Sequence, residues 1–435
     1  MIVKENDLRY AKLIHVSVDN GLTDNSNKVY VMEELSDGRI KCEYGRVGKN
    51  MTTVYKSSRE WDKIVREKTS NKKGYTDVTD LLAEPVVDDS RPVNNKVDSI
   101  KDDIVRKLVD ELMSFANKSI QRNYKVTQEA VSEQQVNVAQ DVINAISGLL
   151  ILGVDKKHVN DMLLKLYTII PRRMDNVKSH LINDVNTDSD LETAQRLIGE
   201  EQSTLDTMAG QVELIQQQKE ATKKAAEAEA NGVEEEVEEV TILDQMGLSI
   251  EVENDEETLA LIKKLMGSNV NQMKKVYKVV NTKTQVKFDK NLDKSRVKKK
   301  RLYWHGSRNE NWFNILQTGL LIRPSGAVHT GSMFGDGVYF SNKSQKSIGY
   351  TSLRGSYWTK GGDDKAYLAL FDVHIGNQKH ITNHTSSCYS LSQKVMDKEG
   401  FDSVYAHGGA DLRNDEFIVY KPEQCTVSHL IEIGN

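Results

Sequence analysis

The spacing of apolar residues changes twice along this chain, and each change marks a different kind of packing. From Lys28 to Val54 apolar and polar positions alternate, with Val29 and Val31, then Ile40, Cys42 and Tyr44, on either side of Ser36-Asp37-Gly38. Period two is the mark of a half-buried strand, and Asp-Gly between two such runs is a hairpin turn. A short helix is expected over 58–68. Beyond residue 97 the period lengthens. Ile100, Ile104, Leu108 and Leu112 lie four apart, and the pattern recurs at Val138, Val142, Ile146 and Leu149 and at Val159, Leu163, Leu166 and Ile170. Each set lies on one face of a helix. Pro171 stops the third, and a last long helix is expected over 189–217. After residue 240 strands return among many glycines, expected over 241–252 and 272–287 around a helix at 256–266.

At 435 residues the chain exceeds what one core supports. The expected fold class is multidomain. It comprises a small β-rich N-terminal module (1–84), a linker (85–96) holding Pro85 and Pro92, an all-α domain (97–218), an acidic linker (219–240) and an α+β domain (241–435). Residues 225–240 hold seven glutamates and no base, the composition of a solvated tether. The net charge of −5 hides an asymmetry: residues 41–75 carry ten Lys/Arg against four Asp/Glu, a local charge of +6. Hydrophobic content of 38% and charged content of 28% describe an ordinary globular chain. The longest apolar stretch, 142–154, contains Asn, Ser and Gly and falls short of a bilayer span, so no membrane partner is expected. The N-terminus lacks a basic-then-apolar leader. Three scattered cysteines, Cys42, Cys388 and Cys425, offer neither a disulfide framework nor a zinc set. No metal is expected, and a reducing, intracellular compartment fits.

The chemistry gathers in the C-terminal third. Arg301-Leu-Tyr-Trp-His-Gly-Ser-Arg308, Gly331-Ser-Met-Phe-Gly-Asp-Gly-Val-Tyr339 running on to Tyr350, and Asn414-Asp-Glu-Phe-Ile-Val-Tyr420 supply a His, two Tyr, a Ser-Lys cluster and one Glu among glycines. Cutting a nicotinamide from its ribose generates an oxocarbenium-like sugar, which a nearby carboxylate stabilises. Glu416, opening an otherwise apolar strand, is placed for that. Tyr350 and Tyr339 offer flat faces to an aromatic ring. Ser347, one helical turn before Tyr350, puts a hydroxyl beside that ring for a carboxamide. Gly331, Gly335 and Gly337 permit close backbone approach, and His305 can hold a ribose hydroxyl. The basic run Lys298–Arg301 sits directly before a motif strand and is read as structural.

Residues 241–435 resemble the catalytic domain of poly(ADP-ribose) polymerases, with three separated motifs in order. The resemblance implies NAD+ as co-substrate and a working triad of His305, Tyr339 and Glu416. It further implies His305 and Ser307 on the adenosine side, Gly306 (by its backbone) and Ser347 on the carboxamide, and Tyr350 stacked on the nicotinamide. Asn311 and Lys346 also match, Lys346 being expected close to the catalytic carboxylate. Upstream, 139–150 with Lys165-Leu-Tyr-Thr-Ile-Ile-Pro171 is similar to the family's helical regulatory domain. Tyr44-Gly-Arg-Val-Gly48 resembles its Trp-Gly-Arg module, which implies Arg46 as a phosphate contact, Tyr44 as a sugar contact and Lys49 beside them. Three departures stand out: Tyr44 replaces the tryptophan, Ser332 a second tyrosine, and Leu321 an adenosine-contacting arginine. The stretch 376–414, which shapes the acceptor site in the family, is short.

The expectation is therefore a DNA-break-dependent NAD+ ADP-ribosyltransferase that makes poly(ADP-ribose) on itself and other proteins and releases nicotinamide in a DNA damage response. It would be a monomer that binds DNA ends or nicks. Its place would be intracellular and DNA-associated: nuclear if eukaryotic, in the nucleoid or cytoplasm if bacterial or phage-encoded. Two rivals stay open. The short acceptor region suits a mono-ADP-ribosyltransferase. An inactive DNA-end-binding scaffold is opposed by the intact His305, Tyr339 and Glu416.

Overall fold

The computed structural model describes residues 2–3, 8–18, 25–82, 100–123, 131–151, 156–183, 187, 190, 193–194, 196–210, 212, 241–322 and 333–435. The expected linkers at 85–96 and 219–240, together with Gly331 and Ser332, lie outside the described residues. The described residues form two compact units, one within 1–92 and 119–212, the other within 93–118, 213–325 and 331–435.

The first unit begins with an antiparallel sheet of β1 (Ile2–Val3), β2 (Arg9–Val18), β3 (Asn25–Glu34), β4 (Arg39–Arg46) and β5 (Thr52–Ser57), with β6 (Thr76–Asp77) paired to β2. The hairpin expected from the alternation is β3–β4, turned at Gly38 with φ 81°. Because side chains alternate across a strand, Leu13 and Ile14 enter different cores. Leu13, Tyr30, Met32, Ile40 and Cys42 pack with Trp61 and Ile64 of α1 (Trp61–Lys68). Ile14, Val29, Val47 and Val78 form the other.

Among the described residues the next α-helices along the chain are α2 (Asp103–Asn123), α3 (Glu133–Ile151), α4 (Lys156–Ile169) and α5 over 196–210. The last three share a core of Ala139, Ile143, Ile146, Leu163, Leu166, Tyr167, Leu205 and Met208, which Val16 and Val18 of β2 also join. Helix α4 ends before Pro171, which cannot continue the ladder. The next residue, Arg172, is only 3% exposed. Its guanidinium makes a two-pronged pair with Glu201 of α5, Nη1 donating to Oε1 at 2.9 Å, and lies 4.2 Å from the Tyr167 ring centroid. Its carbonyl accepts from the Asn27 side chain at 2.8 Å. One buried cation thus ties the exit of α4 to α5 and to the β module.

Helix α2, up to residue 118, belongs to the second unit. Its apolar stripe of Val105, Leu108, Val109, Leu112 and Ala116 is buried in that unit's main core. The four-residue spacing placed Ile104 on the buried face; it is 41% exposed, and Val105 takes its place. With 3.6 residues per turn, a strict spacing of four drifts off the stripe. Glu111 accepts from Lys365 Nζ at 2.6 Å and from Tyr367 OH at 2.9 Å, a polar latch beside that stripe.

The rest of the second unit is α+β, as expected. In order come α6 (Ile242–Met246), β7 (Leu248–Val252), α7 (Glu256–Met266), β8 (Met273–Asn281), α8 (Thr282–Lys294), β9 (Lys300–Gly306) and α9 (Trp312–Thr318). Then follow β10 (Val338–Phe340), α10 (Ser344–Ile348), β11 (Lys365–His374), β12 (Gln378–Ile381), α11 (Gln393–Glu399), β13 (Ser403–Ala406), β14 (Glu416–Val419) and β15 (Cys425–Gly434). A five-stranded sheet, β7-β8-β15-β11-β9, and a four-stranded one, β10-β14-β13-β12, enclose a core that includes Tyr303, Phe340, Phe371, Phe417 and Leu430.

Both long strand expectations here were half helix. Over 241–252, Thr241 and Asp244 form a reciprocal capping box, Gly247 closes α6 in the left-handed region at φ 69°, and only then does β7 begin. Over 272–287, Asn281 caps α8 by accepting from Thr284 N, while its amide donates to the Leu316 and Gln317 carbonyls. Capping side chains outweighed β-branched composition in each case.

The Arg172–Glu201 pair sets a stability prediction. Glu201→Gln leaves a buried guanidinium without its counter-charge, and unfolding of the first unit should become easier by about 3–5 kcal/mol. Chemical denaturation followed by circular dichroism reads this; a loss of less than about 1 kcal/mol, the range of an exposed pair, contradicts the stated role.

Candidate active site

Two backbone contacts assemble the site. Trp304 N donates to Ser341 O at 2.8 Å and Ser341 N to Trp304 O at 3.0 Å, clasping β9 to the chain just beyond β10. Tyr339 pairs with Ile418 across β10–β14, so Glu416, two residues before Ile418, lies on the same face of that sheet. The end of β9 then meets α10 backbone to backbone. A Cβ added at Gly306 would fall 1.9 Å from Ser347 O, so only glycine fits. This contact joins the residues that the resemblance assigns to a carboxamide.

Glu416 is 7% exposed. Lys346 Nζ donates to its Oε1, while Oε2 is buried with no hydrogen-bond partner. A dry carboxylate oxygen without a donor is costly unless something else supplies one. It is an acceptor left without a donor, and a carboxylate there suits a developing oxocarbenium.

His305 Nδ1 lies 3.1 Å from Tyr339 O. A carbonyl only accepts, so Nδ1 carries the proton and Nε2 presents its lone pair. Burial holds the imidazole below its ordinary value of 6.5, with the Tyr339 carbonyl opposing in part. The ring is therefore a neutral acceptor, suited to a sugar hydroxyl. Trp312, Phe340 and Phe371 meet it edge-on and fix its plane.

Tyr339 is locked, its hydroxyl donating to Gly335 O and accepting from Phe334 N, each at 2.9 Å. Burial pushes its phenol well up, and the Glu416 charge adds to this. The same causes push Tyr350 up to about 12. Both rings stay neutral, and both feel Glu416. Asn311 donates to Ser307 Oγ at 2.9 Å, so those two form one polar unit beyond His305. The structure thus brings His305, Gly306, Tyr339, Lys346, Ser347, Tyr350 and Glu416 to one region, with Ser307 and Asn311 adjoining. Leu321 is 45% exposed and contributes no polar group. Among the described residues no group of three His, Cys, Asp or Glu is placed to hold a metal.

Several contributors escaped the sequence reading. Tyr420 OH donates to Phe334 O at 2.7 Å and fixes the glycine turn from beneath. Asn309, fully buried, donates to Asp363 and to the Lys365 carbonyl. Trp358 lies beside Tyr350. Tyr420 stood in the quoted motif and could have been singled out; nothing local marks the other two.

The residues expected to meet nucleic acid lie in the first unit and have partners within it. Arg46 Nε donates to Met174 O at 2.9 Å, Nη2 to Asp175 O at 2.8 Å and Nη1 to Asn25 O at 3.1 Å. Lys49 pairs with Asp175 at 3.0 Å. Tyr44, 37% exposed, stacks on Tyr30 with centroids 5.5 Å apart.

Comparison with known proteins bears on the C-terminal region most. Residues 256–435 match the poly(ADP-ribose) polymerase catalytic domain. A putative poly [ADP-ribose] polymerase-like protein, 100L, of Invertebrate iridescent virus 6 is 35% identical over 167 residues, covering 38% of this chain and 87% of the viral one. Poly [ADP-ribose] polymerase 1 of Caenorhabditis elegans is 24% identical across 95% of this chain, which spans about half (48%) of the nematode protein. Human poly [ADP-ribose] polymerase 2 is 29% identical over 157 residues, 30% of this chain and 26% of that one. The chain belongs to the poly(ADP-ribose) polymerase family, and its C-terminal region is the catalytic domain of an NAD+ ADP-ribosyltransferase.

Proposed function

We propose that this enzyme is stimulated by DNA ends or nicks and builds poly(ADP-ribose) on itself and on other proteins. The observation that carries the catalytic half is Glu416, buried, held at Oε1 by Lys346 and without a hydrogen-bond partner at Oε2. As the bond from ribose C1′ to nicotinamide breaks, positive charge develops at C1′ and the carboxylate stabilises it. An acceptor hydroxyl bonded to Oε2 then forms the new C1′–O bond and gives its proton to Glu416, from which it passes to solvent. His305 Nε2 and Ser307 hold the adenosine side. Gly306 and Ser347 hold the carboxamide, with Tyr350 against the ring. Where the product is single ADP-ribose units rather than chains, the short segment 376–414 is the feature that favours that reading.

The DNA half rests on the +6 charge of residues 41–75 and on the module-like run at 44–48. Arg46 and Lys49 grip the chain at 174–175, two residues beyond Arg172 with its buried tie to α5. A phosphate that draws on either cation loosens that grip, and the helices act as the regulatory element between a closed and an open state.

Glu416→Gln keeps size but removes the charge. Chain synthesis should fall on the order of a hundredfold or more, with slow NAD+ cleavage remaining. Polymer made at close to the wild-type rate would remove Glu416 from its role.

His305 gives a pH signature. The folded protein holds it neutral, whereas the unfolded chain protonates it near 6.5. Its contribution to stability is complete above 6.5 and is lost as pH falls from there towards the lowered folded value. Thermal unfolding compared between wild type and His305→Gln should show the variant's midpoint falling less steeply below pH 6.5; parallel curves would mean that the ring is not held neutral.

Arg46→Ala should weaken binding to nicked DNA, reduce the slope of log affinity against log salt by about one, and lower DNA stimulation. Fluorescence anisotropy at several salt concentrations measures it. An unchanged slope with a lowered unfolding midpoint would confine Arg46 to its carbonyl contacts.

A further inference from the structure

We propose that Trp358 is a positioning residue for the nicotinamide ring, acting through Tyr350. The proposal rests on the reading above in which Tyr350 stacks on nicotinamide. Trp358 is 61% exposed and its neighbour Tyr357 77%, a large apolar area in water beside a catalytic site. Such an exposed pair at a mobile loop tip would mean little, but the loop over 351–363 is closed by its own backbone.

Leu353 and Asp363 form a parallel bridge, Asp363 N donates to Ser352 O at 2.9 Å, and Arg354 N donates to Asp363 O at 2.6 Å. Ser356 Oγ donates to Ile348 O at 3.0 Å, returning the loop to the end of α10. A Cβ at Gly361 would fall 2.3 Å from Leu353 O, so the two limbs touch. Asn309, just past the end of β9, holds both limbs, its N–H donating to Ser352 Oγ and its amide to Asp363.

On this scaffold Trp358 N donates to Gly349 O at 3.0 Å. A Cβ at Gly349 would lie 3.1 Å from the indole Cδ1, so the indole lies directly on the backbone that precedes Tyr350. The Trp358 and Tyr350 rings are 20° from parallel with centroids 5.9 Å apart, an offset stack. Tyr357 meets the indole edge-on at 4.7 Å and 89°. The three rings form a row from solvent to the site, and its inner member is Tyr350. An offset partner restricts the ring plane of a tyrosine that must lie flat on a ligand, so less freedom is lost when the ligand binds. Trp358 has no polar group in the chemistry and should affect binding rather than the bond-breaking step.

The test uses the full chain with NAD+ as substrate and benzamide, a nicotinamide mimic, as binding probe. Trp358→Ala should raise the NAD+ KM and the benzamide Kd together by roughly three- to tenfold, with kcat within about twofold. Trp358→Phe should restore both, since a flat ring remains. In a Tyr350→Ala background, Trp358→Ala should add nothing. Unfolding midpoints of all variants are measured, and the exposure of Trp358 predicts little change. An unchanged KM and Kd in Trp358→Ala overturns the proposal. So does a full additional loss in the Tyr350→Ala background, a fall in kcat alone, or a phenylalanine variant as weak as the alanine. If Tyr350→Ala by itself leaves benzamide affinity unchanged, the stacking role of Tyr350 fails, and the proposal falls with it for that distinguishable reason.

Discussion

A carboxylate that is nearly dry and only half satisfied is the constraint around which the catalytic unit is arranged. Glu416 has one oxygen held by Lys346 and the other without a donor. An isolated buried charge of this kind is expensive, and removing Lys346 would leave it uncompensated. The fold therefore has to fix α10, which carries the lysine, against β14, which carries the glutamate. It does so through the Trp304–Ser341 clasp and the Gly306–Ser347 contact. The same two contacts bring His305, Ser347 and Tyr350 alongside. Catalytic geometry and structural satisfaction of the lysine–glutamate pair thus follow from one piece of packing.

The neutral groups around that pair follow from burial. Burial disfavours a second proton on His305, and its bond to the Tyr339 carbonyl decides which nitrogen is free. Tyr339 and Tyr350 stay as phenols for the same reason, reinforced by the glutamate charge. The site is therefore one ion pair among neutral acceptors and rings. That arrangement suits a reaction in which the substrate, not the protein, changes its charge.

The first unit shows a comparable economy. Arg172 sits at the point where Pro171 ends α4, and its three kinds of contact reach α5, Tyr167 and the β module. Arg46 and Lys49 hold the chain two or three residues further on. Basic residues that read in sequence as a surface for phosphate are engaged within the protein itself, because a guanidinium's planar donors also match backbone carbonyls. Charge counting cannot separate those two uses.

Local sequence determined the elements whose signals are local. The β3–β4 hairpin followed from alternation and Asp37-Gly38, the end of α4 from Pro171, and the choice of candidate site residues from three motifs whose types each answer a chemical demand. Spacing also located the helices and the buried face of α4, where Val159, Leu163 and Leu166 are buried, as is Ile170 just past its end; at the start of α2 Ile104 and Val105 exchanged places because a spacing of four drifts against 3.6. The helical starts at Thr241 and Asn281 were legible in principle as caps, but β-branched composition masked them. Tertiary structure alone decided where the α2 stripe is buried, since an amphipathic face specifies that it must be covered and not by what. It alone decided that Arg46 meets carbonyls, that Glu416 keeps one oxygen free, and that Trp358 stacks on Tyr350. Each of these depends on distant segments meeting, and hydrophobic period carries no information about which segments meet.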